Sequence, residues 1–204
     1  MVDIAFALSA TALSSGNNFR KMKSLVDEII NSYSPFATRY SVIKFGKTPV
    51  VELDFGDVSD LVELRETLQQ ITRNQQGADL ARALRKARQL FQTAATSRPN
   101  AKKVLVVAMD KVSDSDEIAV KVAARSLARE GVRVIAVTFG KEADPQEIEK
   151  TTLNKNNVIQ TDDDDSSEDI AAEVVERANN GKKKDCVNIW CLGKNEMFDF
   201  NQFC

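Results

Sequence analysis

The sequence predicts an α/β fold with three layers, helix–sheet–helix, around a central, mostly parallel sheet carrying one antiparallel strand. Three observations lead there. First, strand-like and helix-like segments alternate along nearly the whole chain, the order expected of a sheet covered on both faces. Second, residues 103–109 (KVLVVAM) and 132–138 (VRVIAVT) are near-continuous β-branched and apolar runs, as suits parallel strands buried on both sides. Third, residues 39–45 and 49–55 are joined by only Gly46-Lys47-Thr48, which leaves room for a hairpin but not for a crossover helix, so that pair is antiparallel.

In chain order, residues 3–8 (DIAFAL) predict a buried strand. After a Ser/Gly/Asn-rich turn come Phe19, Met22, Leu25, Val26, Ile29, Ile30 and Tyr33, at the three- and four-residue spacing of an amphipathic helix that Pro35 helps to end. The hairpin follows. Leu61, Leu64, Leu68 and Ile71 mark another helix, and Leu80, Leu84, Ala87, Phe91 and Ala94 a third. Between the two parallel runs, Ile118, Val122, Ala123 and Leu127 mark a helix, with Gly131 placed to close it. Residues 158–161 (VIQT) predict a last strand, and Ile170, Val174, Val175 and Ala178 the closing helix. The expected organisation is a domain over 1–179, then a linker and cysteine-containing tail over 180–204, read as the start of a truncated module.

Composition removes several functions. The 204 residues include no histidine, which excludes Ser-His and Cys-His nucleophile pairs and the common catalytic zinc arrangements. Neither a spaced-glycine dinucleotide loop nor a GxxxxGK[ST] loop occurs, so no nucleotide cofactor is indicated. A net charge of −2 gives no global pull toward nucleic acid or anionic membrane, and no apolar stretch reaches the length of a spanning helix. An enzyme would have to rest on Asp110 with the acids at 114–117, and a non-enzymatic reading is preferred. The cysteines Cys186, Cys191 and Cys204 all fall in the tail. A disulfide-bearing extracellular tail and reduced cysteines both fit. A disulfide bond is the expectation that accompanies the extracellular reading, which also calls for a leader ahead of Met1.

In an open parallel sheet, ligands sit beyond the carboxyl ends of the strands. There the segments DIAFALSATALSS, YSVIKFGKTPVVELDF, QQGADLARAL, KKVLVVAMDKVSDSDE and GVRVIAVTFG together resemble the von Willebrand factor type A domain, over about residues 3 to 178. The resemblance implies a metal-ion-dependent adhesion site built from an Asp-x-Ser-x-Ser run, a Thr before the third helix and an Asp after the fourth strand. On this chain the first run falls on Ser9, Thr11 and Leu13, the Thr on Leu80, and the last Asp on Asp110. Ser9, Thr11 and Asp110 are thus the candidate metal residues of a degenerate site, because Ser9 replaces a charge and Leu13 and Leu80 offer no ligand. No resident cofactor is expected; weak Mg²⁺ or Ca²⁺ binding is the metal chemistry left open.

Two charged surfaces are the partner-binding candidates. Asp162, Asp163 and Asp164 belong to a run of eight acids without a base between residues 162 and 176, read as helix-capping and solvated residues, a loose calcium site or a contact for a basic partner. Arg82, Arg85 and Arg88, with Lys86, share one helical face, read as a solvated exterior or as a contact for a sulfated glycan. Nucleic acid is disfavoured for want of interleaved aromatics. The family resemblance implies a secreted, structural or adhesive domain of the extracellular matrix. Its partners would be matrix proteins such as collagens, or other copies of similar domains, and an intracellular adaptor in a multiprotein complex is the alternative.

Overall fold

The computed structural model describes residues 1–56, 61–111, 113–140, 145–162 and 164–179. The elements run β1 (Val2–Ser9), α1 (Gly16–Asn31), β2 (Thr38–Phe45), β3 (Val50–Leu53), α2 (Leu61–Gln70), α3 (Leu80–Ser97), β4 (Lys102–Met109), α4 (Glu117–Arg129), β5 (Val132–Phe139), α5 (Pro145–Thr152), β6 (Val158–Thr161) and α6 (Ser167–Ala178). They form a six-stranded sheet in the order β3-β2-β1-β4-β5-β6. All neighbours are parallel except β2 and β3, the hairpin, whose register shifts between Val42 and Ile43. The three-layer fold with a single antiparallel strand is therefore as the sequence predicts.

The pleat divides the core in two. On one side Ile4, Phe6, Leu8, Val104 and Val106 meet α1, α2 and α6 through Met22, Leu25, Ile29, Leu64 and Val174. On the other, Ala5, Ala7, Leu105 and Val107 meet α3, α4 and α5 through Leu84, Phe91, Ala123, Leu127 and Ile148. Successive strand residues point to opposite faces, so a strand covered on both must be apolar throughout, which is why β1, β4 and β5 read as continuous runs. Gly131 ends α4 at a φ of 74°, left-handed backbone that glycine adopts without the steric cost of a Cβ.

One helix departs from its predicted stripe. Ile118 and Val122 are 71% and 56% exposed, while Val120, Ala123, Ala124 and Leu127 face the sheet. The alanines let α4 lie close against α3 and β5, and this fit outweighs the burial of two larger side chains on the opposite face.

At the lower edge, where the parallel strands begin, Asp3 is buried and faces two guanidiniums. Arg39 donates to it through Nε at 3.0 Å and Nη2 at 2.8 Å, and Arg98 Nη1 stands 3.2 Å away. Arg98 also donates to the carbonyl of Ala37 at 2.7 Å, and Arg39 to that of Ala94 at 3.3 Å, which ties β1, β2 and α3 together. Among the described residues no helix is long and apolar enough to cross a membrane.

Candidate functional site

The upper edge collects the carboxyl ends of β1 and β4 and the amino ends of α1 and α3. Asp110 follows directly on β4 and is 2% exposed. Its Oδ1 accepts from the Ser14 hydroxyl at 2.7 Å; its Oδ2 accepts from the Ser15 backbone N–H at 3.0 Å and from Asn18 Nδ2 at 3.4 Å. Because the Ser14 proton goes to Asp110, the contact between the Ser14 and Thr11 hydroxyls at 3.1 Å has Thr11 donating. Thr11 Oγ1 in turn accepts from the Ser14 backbone N–H at 3.1 Å. Thr11 and Ser14 thus form a local turn that points the Ser14 hydroxyl inward at the carboxylate.

That turn is braced from outside. Arg73 donates from Nη1 to the carbonyl of Ser14 at 2.5 Å and to that of Ala12 at 3.4 Å. Residue 75 runs beside the loop, with Ala12 N–H to Gln75 O at 2.8 Å and Gln75 N–H to Ala10 O at 3.0 Å. The hairpin turn closes over this segment at Gly46, where an added Cβ would lie 2.2 Å from Gln75 Cβ, so only glycine fits.

The sequence-predicted metal residues meet only in part. Thr11 and Asp110 are linked through Ser14. Ser9 lies on the β1 face shared with Ala5 and Ala7, toward α3, and its Oγ is buried with no hydrogen-bond partner. Leu13 is 79% exposed at the rim, whereas Leu80 is fully buried in the first turn of α3. A divalent ion held in the family manner needs oxygen ligands anchored by carboxylates in near-octahedral array. Here one carboxylate is present, both its oxygens are taken by protein donors, and two ligand positions are hydrocarbon. These residues do not fit such an ion. No group of three or more His, Cys, Asp or Glu able to hold a metal occurs among the described residues.

The acids behind Asp110 are occupied in building the edge. Asp114 Oδ2 accepts from Ala78 N–H at 2.7 Å, and Ser113 donates to Ala78 O at 2.8 Å. The Ser115 hydroxyl donates to Asp79 at 2.9 Å and accepts from Ala81 N–H at 3.0 Å. Asp79 and Asp116 cap α3 and α4, and Glu117 pairs with Lys150 at 2.8 Å. Residues 113–115 are therefore stitched to the amino end of α3. Sequence reasoning missed Ser14, Asn18 and Arg73, none of which carries a periodic or motif signal; the run of Ser, Thr and Asn after β1 was the available hint.

Of the charged surfaces, Asp162, Asp164 and Asp165 are exposed, Asp165 accepts from Asp162 N–H at 2.7 Å, and Ser166 caps α6. Asp163 lies outside the described residues. Arg82 and Arg85 are exposed on α3; Arg82 pairs with its own cap, Asp79, at 3.0 Å. Arg88 is half-buried and paired with Glu130 at 2.5 Å, which removes it from a free basic face. The disulfide expectation is corrected: no cysteine pairing is present among the described residues, which contain no cysteine, and Cys186, Cys191 and Cys204 lie outside them.

The fold is similar to that of proximal thread matrix protein 1 from the mussel byssus (TM-score 0.73, 22% identity, covering 87% of this chain and 46% of that one). A further structure of that mussel protein has a zinc-occupied MIDAS motif (TM-score 0.73, 22% identity, 87% and 45% covered). Manganese-loaded TRAP protein of Plasmodium vivax is also similar (TM-score 0.71, 14% identity, 85% and 72% covered). At these identities the likeness is one of fold, and the chain spans a little under half of the mussel protein chain. Residues 3–177 match the von Willebrand factor type A domain, and domains of this kind are generally non-catalytic adhesion and structural modules. With the match running over most of its length, the chain belongs to the von Willebrand factor type A domain family.

Proposed function

We propose that the chain is a structural or adhesive domain of an extracellular matrix protein, and that its upper edge binds collagens or other matrix proteins without a bridging metal. The observation that carries this reading is the state of Asp110: hydroxyl, N–H and amide donors use both of its oxygens, while Leu13 stands at the rim where a ligand hydroxyl would be. An edge built this way offers a partner shape, apolar contact and backbone groups in place of an ion that captures a carboxylate. Ser9, Thr11 and Asp110 are on this reading remnants of the adhesion site, retained for packing. The secreted, matrix setting is supported by likeness to a matrix protein of the mussel byssus. The domain spans 1–179, with 180–204 as linker and tail. Arg82 and Arg85 are the candidate contacts for a sulfated glycan, and Asp162, Asp163 and Asp164 for a basic partner.

Calorimetric titration with Mg²⁺, Mn²⁺ and Ca²⁺, followed by collagen binding with and without chelator, tests the reading. The expected result is no stoichiometric heat, together with collagen binding that survives chelation and weakens in Leu13→Ser. Tight stoichiometric Mg²⁺ or Mn²⁺ binding that is lost in Asp110→Ala would overturn it.

A further inference from the structure

The stripe that α4 leaves exposed is built like half of an interface. Ile118, Val122, Arg125 and Arg129 follow one another at four, three and four residues, so they form a single line along the helix. All four are exposed, as is the neighbouring Lys121. Among the described residues, Lys121, Arg125 and Arg129 make no ion pair. Two large aliphatic side chains and three unpaired bases share one helical face, whereas Arg82, Arg88 and Lys150 in the same layer each have an acidic partner.

The matching half stands on the opposite side of the sheet. On α6, Asp169, Ala172 and Glu176 repeat the three- and four-residue spacing, with Asp165 one turn earlier and Glu168 beside them. These residues are exposed, and the acids among them make no ion pair in the described residues. Ala172 leaves a gap at the centre of the acidic line that a branched aliphatic side chain would fill. Because α4 belongs to the helix layer of α3 and α5, and α6 to that of α1 and α2, the two stripes face away from each other across the sheet.

We infer that α4 of one copy of this chain docks antiparallel on α6 of a second copy, so that the domains stack face to opposite face. In that arrangement Arg125 and Arg129 meet Asp169 and Asp165, and Val122 packs on Ala172. The carboxyl end of one helix then lies beside the amino end of the other, an orientation that also aligns their dipoles favourably. The contact is heterologous: each docked copy still presents a free α4 stripe on its far side, so the assembly grows as an open chain and does not close as a dimer. A single helix pair is small against the ~1,200–2,000 Å² of stable interfaces, so the association is weak, concentration-dependent and salt-sensitive. It does not use the Asp110 turn or rest on the metal-free binding proposed for that turn.

Sedimentation velocity of the full 204-residue chain tests the stacking. The parent is expected to grow in weight-average mass with concentration at low ionic strength and to return to monomer at high ionic strength. Val122→Gln with Arg125→Gln removes the α4 half, and Ala172→Gln with Asp169→Asn the α6 half. All four positions are exposed, and unchanged far-ultraviolet circular dichroism and melting temperature confirm folding. Each variant alone should stay monomeric, while an equimolar mixture, which retains one intact stripe of each kind, should form pairs and nothing larger. A parent that stays monomeric, a variant that associates like the parent, or a mixture that stays monomeric overturns the inference. So does a parent that stops at a dimer. Heparin retention lost in the α4 variant of a monomeric parent also overturns it, and assigns the stripe to a polyanion.

Discussion

The lower and upper edges of the sheet each bury one carboxylate, and the two are satisfied in opposite ways. Asp3, 1% exposed, faces the guanidiniums of Arg39 and Arg98. Asp110, 2% exposed, is held by a hydroxyl, a backbone N–H and a side-chain amide, and among the described residues no cation meets it. An acid paired with bases that also grip the backbone of neighbouring elements is part of the frame. An acid held by neutral donors alone lies where the fold family places an ion, and the local turn has taken over the work of holding it. The lower edge is closed by charge and the upper by geometry.

The largest effect should come from the lower edge. Asp3→Ala leaves two guanidiniums facing each other with no anion, and breaking a buried pair in this way costs about 3–5 kcal/mol. The lower figure, ~3 kcal/mol, is expected because Arg39 keeps 23% of its side chain in solvent. Urea unfolding at unchanged slope measures it. A loss below about 1 kcal/mol, the scale of an exposed pair, would remove the contrast between the edges.

The next effect rebuilds the upper edge. Ser9→Asp, Leu13→Ser and Leu80→Thr together restore the oxygen donors that the family pattern calls for. In chelator, this variant should be less stable than the parent, because a second buried carboxylate joins Asp110 and Leu80 loses its packing. Added Mg²⁺ or Mn²⁺ should then raise its unfolding free energy, by about 2.7 kcal/mol at a hundredfold excess over the dissociation constant. The parent should not respond. A parent that gains equally would show that the present edge already holds an ion.

Smaller still is Asp110→Asn. The amide oxygen keeps the Ser14 bond, but its NH₂ confronts the Ser15 N–H, so a loss of about 1–2 kcal/mol is expected. It should be smaller than that of Asp3→Ala under the same conditions, and an equal loss would mean that Asp110 too is part of the frame.

How much of this was legible follows from where the signals arise. Runs such as KVLVVAM declare a strand buried on both faces, because any polar residue there would need a partner. The three-residue connection at 46–48 forced the antiparallel hairpin, and Gly131 marked the end of α4. The upper edge was legible as a list of departures, Ser9, Leu13 and Leu80, but not as a structure. The turn in which Thr11 accepts from the Ser14 N–H puts Ser14 inside and Leu13 outside, and no periodicity encodes that choice. The stripe of α4 was misjudged for a related reason. Hydrophobicity ranks Ile118 and Val122 above Ala123 and Ala124, whereas close approach to the sheet favours the small residues.

The two tyrosines extend the comparison to pH. Both lie toward the lower edge, Tyr33 beyond α1 and Tyr40 in β2, where Tyr40 stacks on Phe6 and donates to the carbonyl of Ile30 at 3.4 Å. Burial pushes each phenol up to about 12, from an ordinary value near 10. The folded state therefore binds more protons than the unfolded one between these values. The stabilisation is fully present below pH ~10 and is lost as pH rises through about 12. An ultraviolet titration of the native chain should show little tyrosinate at pH ~10, where an exposed phenol is half ionised, and a two-step rise once the fold opens would mark the loss. The upper edge contains no such group, so Asp110→Asn should move the alkaline transition only by as much as its smaller stability loss dictates. Asp3→Ala, which loosens the edge nearest the tyrosines, should move it to lower pH.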